Sequence, residues 1–257
     1  MTYTTPRGVI YPAETVIEAL SPLILPERRE KMEAVLDTRL ASVALGVEDL
    51  HHEHNGSACI RSAEGLGVHH IYAAEVRNAY PHPEVSAQYT ASQKRRNKRP
   101  SNSVRGGISM HAHRWVNLET FQEREGTHAG INLIETARAR GYRVFGAGPR
   151  GRFELSNIPV DEPLLVLFGN EARGLRDDTM SACDEVFRIP MYGFTESFNI
   201  SVSVGMTLEQ LGARRRALLA SRGLRGDLDE NERTRCLARW FAREMKSVDQ
   251  LLAQILG

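Results

Sequence analysis

Apolar residues along this chain follow two spacings. In "PERREKMEAVLDTRL" (26–40), Met32, Val35, Leu36 and Leu40 fall three to four positions apart, the period of a helix with one buried face. Downstream, the short apolar runs "ASVALGVEDL", "HHIYAAEV", "RWVNL", "YRVFGA", "PLLVLFG" and "EVFRIP" alternate with helical stretches at 55–66, 128–140, 176–183 and 197–220. Strand and helix alternating in this way predict an α/β fold: a mainly parallel sheet with helices on both faces. Gly141, directly after "HAGINLIETARAR", marks a helix end. Residues 1–26 hold several prolines and show little periodicity, so they read as an extended lead-in. From Asp227 onward, Leu237, Trp240, Phe241, Met245, Val248, Leu251, Leu252 and Ile255 return to helical spacing. That tail is expected to pack on the core or on a second subunit. The chain therefore divides into an N-terminal extension with a helix (1–42), an α/β domain (43–222) with a polar insertion at 77–108, and a helical C-terminal extension (223–257).

Composition adds compartment and partner. The 257 residues are enough for a substantial core, and no run of about 18 apolar residues could span a bilayer. The first residues lack the charged-then-apolar order of a signal peptide, so the expected home is the cytoplasm, with no membrane partner. Three widely separated cysteines, Cys59, Cys183 and Cys236, fit reduced thiols rather than a disulfide framework. The net charge of +1 conceals two acid-free basic stretches. One carries Lys94, Arg95, Arg96, Lys98, Arg99 and Arg105, and the other Arg214, Arg215, Arg216, Arg222 and Arg225. A solvated face would explain either alone; together they favour a polyanionic partner such as RNA.

Two motifs offer chemistry that their context does not support. "GAGPRG" (146–151) has dinucleotide-loop spacing, but Pro149 interrupts it and no helix follows to receive a pyrophosphate. "HHEH" (51–54) offers metal-ligand types, yet adjacent loop residues diverge and no H-E-x-x-H helix is present, so no metal is expected. Three strand-to-helix junctions carry more weight. "HNGSACIRSAEGLG" supplies Asn55 and Ser57 as possible helix caps, and Arg61 one turn inside the helix. "LLVLFGNEARGL" ends a buried strand at Gly169 and continues with Asn170, Glu171 and Arg173. "RIPMYGFTESFNISVSVG" ends a strand at Pro190 and opens a helix near Ser197 and Asn199. Each could be turn chemistry alone, but three at strand ends of one α/β chain point to a ligand site.

These three segments, "NGSACIRSAEGLGV" (55–68), "LLVLFGNEARGL" (164–175) and "RIPMYGFTESFNISVSVG" (188–205), resemble in order the motifs of the SpoU/TrmH family of RNA ribose 2'-O-methyltransferases, within the SPOUT superfamily. The likeness runs from about residue 27 to 222 and is greatest to the tRNA guanosine 2'-O-methyltransferases, with rRNA enzymes as the nearest alternative. A non-catalytic RNA-binding or ribosome-assembly factor on the same scaffold is the alternative outside enzymes. The resemblance implies a C-terminal deep trefoil knot, a homodimer, and S-adenosylmethionine held by three loops. By motif position these loops provide Ala147 and Gly148; Phe168, Gly169 and Asn170; and Ile189 and Met191 with Ser197, Phe198 and Asn199. It implies catalytic roles for Arg61, Asn55, Glu171, Ser197 and Asn199. RNA contacts are expected from Lys94, Arg95, Arg96, Lys98, Arg99, Arg105, Arg173, Arg214 and Arg215.

Overall fold

The computed structural model describes residues 1–78, Tyr80 and 111–256; Lys94, Arg95, Arg96, Lys98, Arg99 and Arg105 lie outside the described residues. The chain forms two units, Leu40–Arg222 and a second made of Met1–Arg39 with the stretch from Gly223 onward.

In the second unit, β1 (Thr2–Thr4) and β2 (Ile10–Pro12) pair antiparallel and lead into α1 (Ala13–Leu20) and α2 (Pro26–Leu36). The lead-in is thus not extended throughout. Ala13, Val16 and Leu20 are buried along one face of α1. The prolines that argued against a helix stand at the starts of elements: Pro12 just before α1 and Pro26 at the first turn of α2. At those positions the missing N–H costs no helical hydrogen bond. The tail forms α7 (Glu230–Glu244) and α8 (Val248–Leu256), both packed against α1, with α7 also against α2. Trp240 and Phe241 are buried there, and the Arg39 guanidinium lies 5.8 Å from the Trp240 ring centroid.

The larger unit is built on β3 (Val43–Glu48), α3 (Glu53–Gly65), β4 (His70–Ala74), β5 (Asn117–Phe121), α4 (Ala129–Ala139), β6 (Arg143–Ala147), β7 (Phe153–Glu154), β8 (Leu164–Phe168), α5 (Asp177–Ala182), β9 (Glu185–Arg188) and α6 (Ile200–Ala220). Its seven strands form one sheet in the order β5-β4-β3-β8-β6-β9-β7. All neighbours run parallel, with Val47 opposite Phe168 and Ala147 opposite Phe187. Apolar residues of the central strands divide between the two faces with period two. Val43, Leu45, Val47, Leu164, Val166 and Phe168 join the core beneath α3 and α6. Ala44, Leu165, Leu167 and Val144 join the core beneath α4. Burial on both faces explains why these strands read as continuous apolar runs.

Chain order departs from sheet order where it matters. β8 inserts between β3 and β6, which precede it in the chain, and β9 inserts between β6 and β7. The loops there pack backbone against backbone. A Cβ on Gly151 would collide with the main chain of Phe187 and Arg188, and one on Gly169 with that of Gly174 and Leu175. Only glycine permits such an approach.

Candidate functional site

Three adjacent parallel strands, β8, β6 and β9, end side by side at Phe168, Ala147 and Arg188. In an open parallel sheet, the crevice beyond such carboxyl ends is where ligands bind.

The segment after β8 turns tightly. Asn170 N donates to Gly174 O at 3.0 Å and Gly174 N donates back to Asn170 O at 2.8 Å. Gly174 takes a φ of 71°, and Asn170 Oδ1 accepts from Ala172 N at 3.0 Å. Glu171, Ala172 and Arg173 are thereby presented at the tip. Asn170 Nδ2 donates to the carbonyl of Asp49 at 2.7 Å, tying the turn to the end of β3.

Glu171 connects this turn to α3. Its Oε1 accepts from Asn55 Nδ2 at 2.9 Å and from His52 N at 3.3 Å, while Oε2 accepts from His51 N at 3.2 Å. A carboxylate at the start of a helix also meets the positive end of its dipole. Partial burial pushes the Glu171 carboxyl up, but the hydrogen bonds from Asn55, its own backbone, His51 and His52 outweigh it and hold it below the ordinary range. Asn55 Oδ1 in turn accepts from Asn199 Nδ2 at 3.1 Å. Asn199 caps α6, its Oδ1 accepting from Ser201 N at 2.9 Å and Ser201 Oγ at 2.6 Å. One hydrogen-bonded chain, Glu171–Asn55–Asn199, thus joins all three junctions.

Several expectations change. Asn55 and Ser57 do not cap α3: the helix begins at Glu53 with His52 as N-cap, and Asn55 faces Glu171 instead. Arg61 therefore lies more than two turns inside the helix rather than one; it is exposed and has no polar partner among the described residues. Ser197 is exposed and stands apart from the network among the described residues. Phe168 is a core residue, its ring edge-to-face with Phe187 at 5.8 Å. Ala147, Gly148, Ile189 and Met191 are half-buried at the strand ends, with Gly148 N donating to Phe187 O at 2.9 Å. Gly169 is buried and Phe198 is exposed.

Three arginines of the basic cluster, Arg214, Arg215 and Arg216, lie on α6 and reach backbone carbonyls of the fold. Arg215 is buried and donates through Nη1 to Val160 O at 2.8 Å and Asp161 O at 3.0 Å. Arg214 Nη2 reaches Ile158 O at 2.7 Å and Arg216 Nη2 reaches Leu66 O at 2.9 Å. These guanidiniums donate to loop carbonyls and brace the fold, with Arg215 buried and Arg214 half-buried. Arg173, by contrast, is exposed with no polar partner among the described residues. His51, His52 and His54 are exposed, and His51 Nδ1 lies 3.2 Å from Asn78 Oδ1.

The acidic pair closing β3 was missed. Glu48, 1% exposed, accepts from Thr179 Oγ1 at 2.6 Å and from Arg176 N at 2.9 Å. It anchors the far end of the Asn170–Arg176 turn, whose near end Asp49 holds. Two carboxylates closing an otherwise apolar strand in "VALGVED" carried the signal.

Comparison with known proteins finds relatives in sequence and in fold. Residues 91–209 match the sequence model of the SpoU rRNA methylase family. A tRNA (guanosine(18)-2'-O)-methyltransferase of Borreliella burgdorferi is 26% identical over 78% of this chain and 79% of its own. A Thermus thermophilus protein of that name is 26% identical over 84% and 96%. A 23S rRNA (guanosine-2'-O-)-methyltransferase of a Burkholderia species is 29% identical over 70% and 63%. Among solved structures, a TrmH/SpoU tRNA modifying enzyme of A. aeolicus superposes with a TM-score of 0.65 at 21% identity, covering 85% of this chain and 97% of that one.

Proposed function

We propose, for a chain that carries a SpoU methylase domain over residues 91–209, that it transfers a methyl group from S-adenosylmethionine to a ribose 2'-hydroxyl of RNA, with a tRNA guanosine as substrate. The observation that carries the reading is the Glu171–Asn55–Asn199 chain, which joins three family motifs at the strand ends. The choice of tRNA rests on coverage. The chain spans 79% and 96% of two tRNA enzymes, against 63% of the rRNA enzyme.

The donor set suits the cofactor. Among the described residues, the stretch 190–198 has no hydrogen bond of its own, so its amides and carbonyls are free for a ligand. With the backbone at Ala147, Gly148, Phe168, Gly169, Asn170, Ile189 and Met191, and with Ser197, Phe198 and Asn199, it offers neutral groups suited to a nucleoside. When bound, S-adenosylmethionine supplies an electrophilic methyl group on its sulfonium.

The Arg61 guanidinium offers five N–H donors and no acceptor. It therefore does not take the hydroxyl proton. Its role is to clamp an RNA phosphate bidentately and lower the cost of negative charge developing on the ribose oxygen. Asn55, Glu171 and Asn199 hold α3 and the cofactor loops in register, Ser197 lines the cofactor loop, and Arg173 offers a second phosphate contact. The insertion with Lys94, Arg95, Arg96, Lys98, Arg99 and Arg105 supplies non-specific RNA affinity.

The C-terminal segment is read as a deep trefoil knot. Insertion of β8 and β9 between earlier strands, and the close passage of Gly151 against the β9 backbone, support it. The protein is read as a cytoplasmic homodimer. Phe198, Val202 and Met206 repeat every four residues, spanning the entry to α6 and its first two turns, and are 40%, 47% and 41% exposed. Tyr192 and Phe194 beside them are exposed too, and an apolar stripe of this kind suits a partner subunit. No described helix is long and apolar enough to cross a membrane.

Calorimetry with S-adenosylmethionine separates the enzyme from a non-catalytic RNA-binding scaffold. Saturable one-site binding, weakened by Asn199→Ala, supports the enzyme, and no heat of binding supports the scaffold.

A further inference from the structure

Asp49 is 9% exposed, lies one residue beyond β3, and has a φ of 56°. That left-handed conformation is uncommon for residues with a Cβ, and aspartate is among those that tolerate it best. It turns the carbonyl toward the segment after β8 while the carboxylate stays toward the segment after β4. The Asp49 carbonyl accepts from Asn170 Nδ2 at 2.7 Å, in the turn that presents Glu171, and more weakly from Asn78 Nδ2 at 3.5 Å. The carboxylate faces the segment after β4: its Oδ1 accepts from Arg77 N at 2.8 Å, Asn78 N at 2.9 Å and Asn78 Nδ2 at 3.1 Å. The same root is pinned again where Tyr80, buried, donates its hydroxyl to Gly56 O at 2.8 Å and its N to Glu75 Oε1 at 2.8 Å. Three donors on one carboxylate oxygen exceed what a simple turn needs.

We propose that Asp49 is a positioning residue with separable duties: its backbone sets the cofactor turn through Asn170, and its side chain sets the root of the 77–108 insertion. The described root of the insertion, Arg77 and Asn78, and the methyl-donor site then share one fixed point at the end of β3. This rests on the reading that the insertion contacts RNA.

The separation predicts a split in kinetics. In Asp49→Gly, glycine adopts the left-handed backbone freely, so the carbonyl stays on Asn170 while the carboxylate is lost. Cofactor Kd, by calorimetry, is expected within about twofold of wild type, which also reports an intact fold. KM for a tRNA transcript is expected to rise about tenfold, roughly one or two net hydrogen bonds lost. Asp49→Asn keeps Oδ1 as acceptor and the left-handed preference, so it should restore KM to within about threefold. An unchanged KM in Asp49→Gly, a rise that Asp49→Asn does not reverse, or an equal loss of cofactor affinity would each overturn the proposal. The RNA reading is tested apart by Lys94, Arg95 and Arg96→Glu. If that variant leaves KM unchanged, the reading that the insertion contacts RNA fails, and the anchoring of its root is then read directly by hydrogen exchange. Faster exchange at the Arg77 and Asn78 amides in Asp49→Gly supports the anchor, and unchanged exchange overturns it.

Discussion

Asn199 donates through Nδ2 to Asn55 Oδ1 at 3.1 Å, across 144 positions of sequence. The contact fixes both amides. Asn55 can accept from Asn199 only while its nitrogen points to Glu171, and Asn199 can donate only while its oxygen caps α6. An ionised Glu171 is therefore part of the lock.

Replacing Asn55 with aspartate removes the donor and sets a second carboxylate against Glu171. Asn55→Asp should lose about 1–3 kcal/mol at pH 7, read as a lower Tm. The deficit should shrink as pH falls and one carboxylate takes a proton. In the wild type the sign follows from Glu171 itself. Its folded pKa lies below the ordinary 4.5, so its contribution is complete above pH 4.5 and is lost as pH falls through the depressed value. Melting curves between pH 3 and 8, on wild type and variant, check both.

The arginines separate by what they touch. Arg215→Met leaves the Val160 and Asp161 carbonyls unpaired and should cost about 1–3 kcal/mol of stability. Arg173→Ala, with no polar partner among the described residues to abandon, should leave Tm unchanged and weaken RNA binding with a smaller salt dependence. Thermal melts and filter binding at two salt concentrations distinguish them.

Those arginines also show how far sequence could reach. The parallel sheet, its helices and the three junctions follow from periodicity, because strands buried on both faces must be apolar throughout. Arg215 and Arg173 look alike in a charge pattern, and only the fold places loop carbonyls over one and leaves the other exposed. Helix α1 was hidden because prolines at element starts resemble breakers. The partnership of Asn55 with Glu171 was hidden for a different reason: a capping residue and a long-range donor are the same side chain until the helix start is known. Glu48 and Asp49 stand out as carboxylates closing an apolar strand, but their partners Thr179, Arg176, Arg77 and Asn78 are distant in sequence and no local pattern names them.

The apolar stripe on α6 carries its own test. Met206→Asp places a charge among Val202 and Phe198 and should shift a dimer toward monomer at micromolar concentration. Sedimentation velocity reads the change, and a wild-type protein that runs as a monomer would contradict the homodimer.

The most direct measurement incubates the protein with a tRNA transcript and S-adenosylmethionine carrying a labelled methyl group, then digests the RNA to nucleosides for mass spectrometry. The account predicts label on the ribose of 2'-O-methylguanosine, falling at least about a hundredfold in Arg61→Ala while cofactor affinity is retained. Label on a base, no transfer at all to tRNA or rRNA, or near wild-type turnover by Arg61→Ala would contradict it.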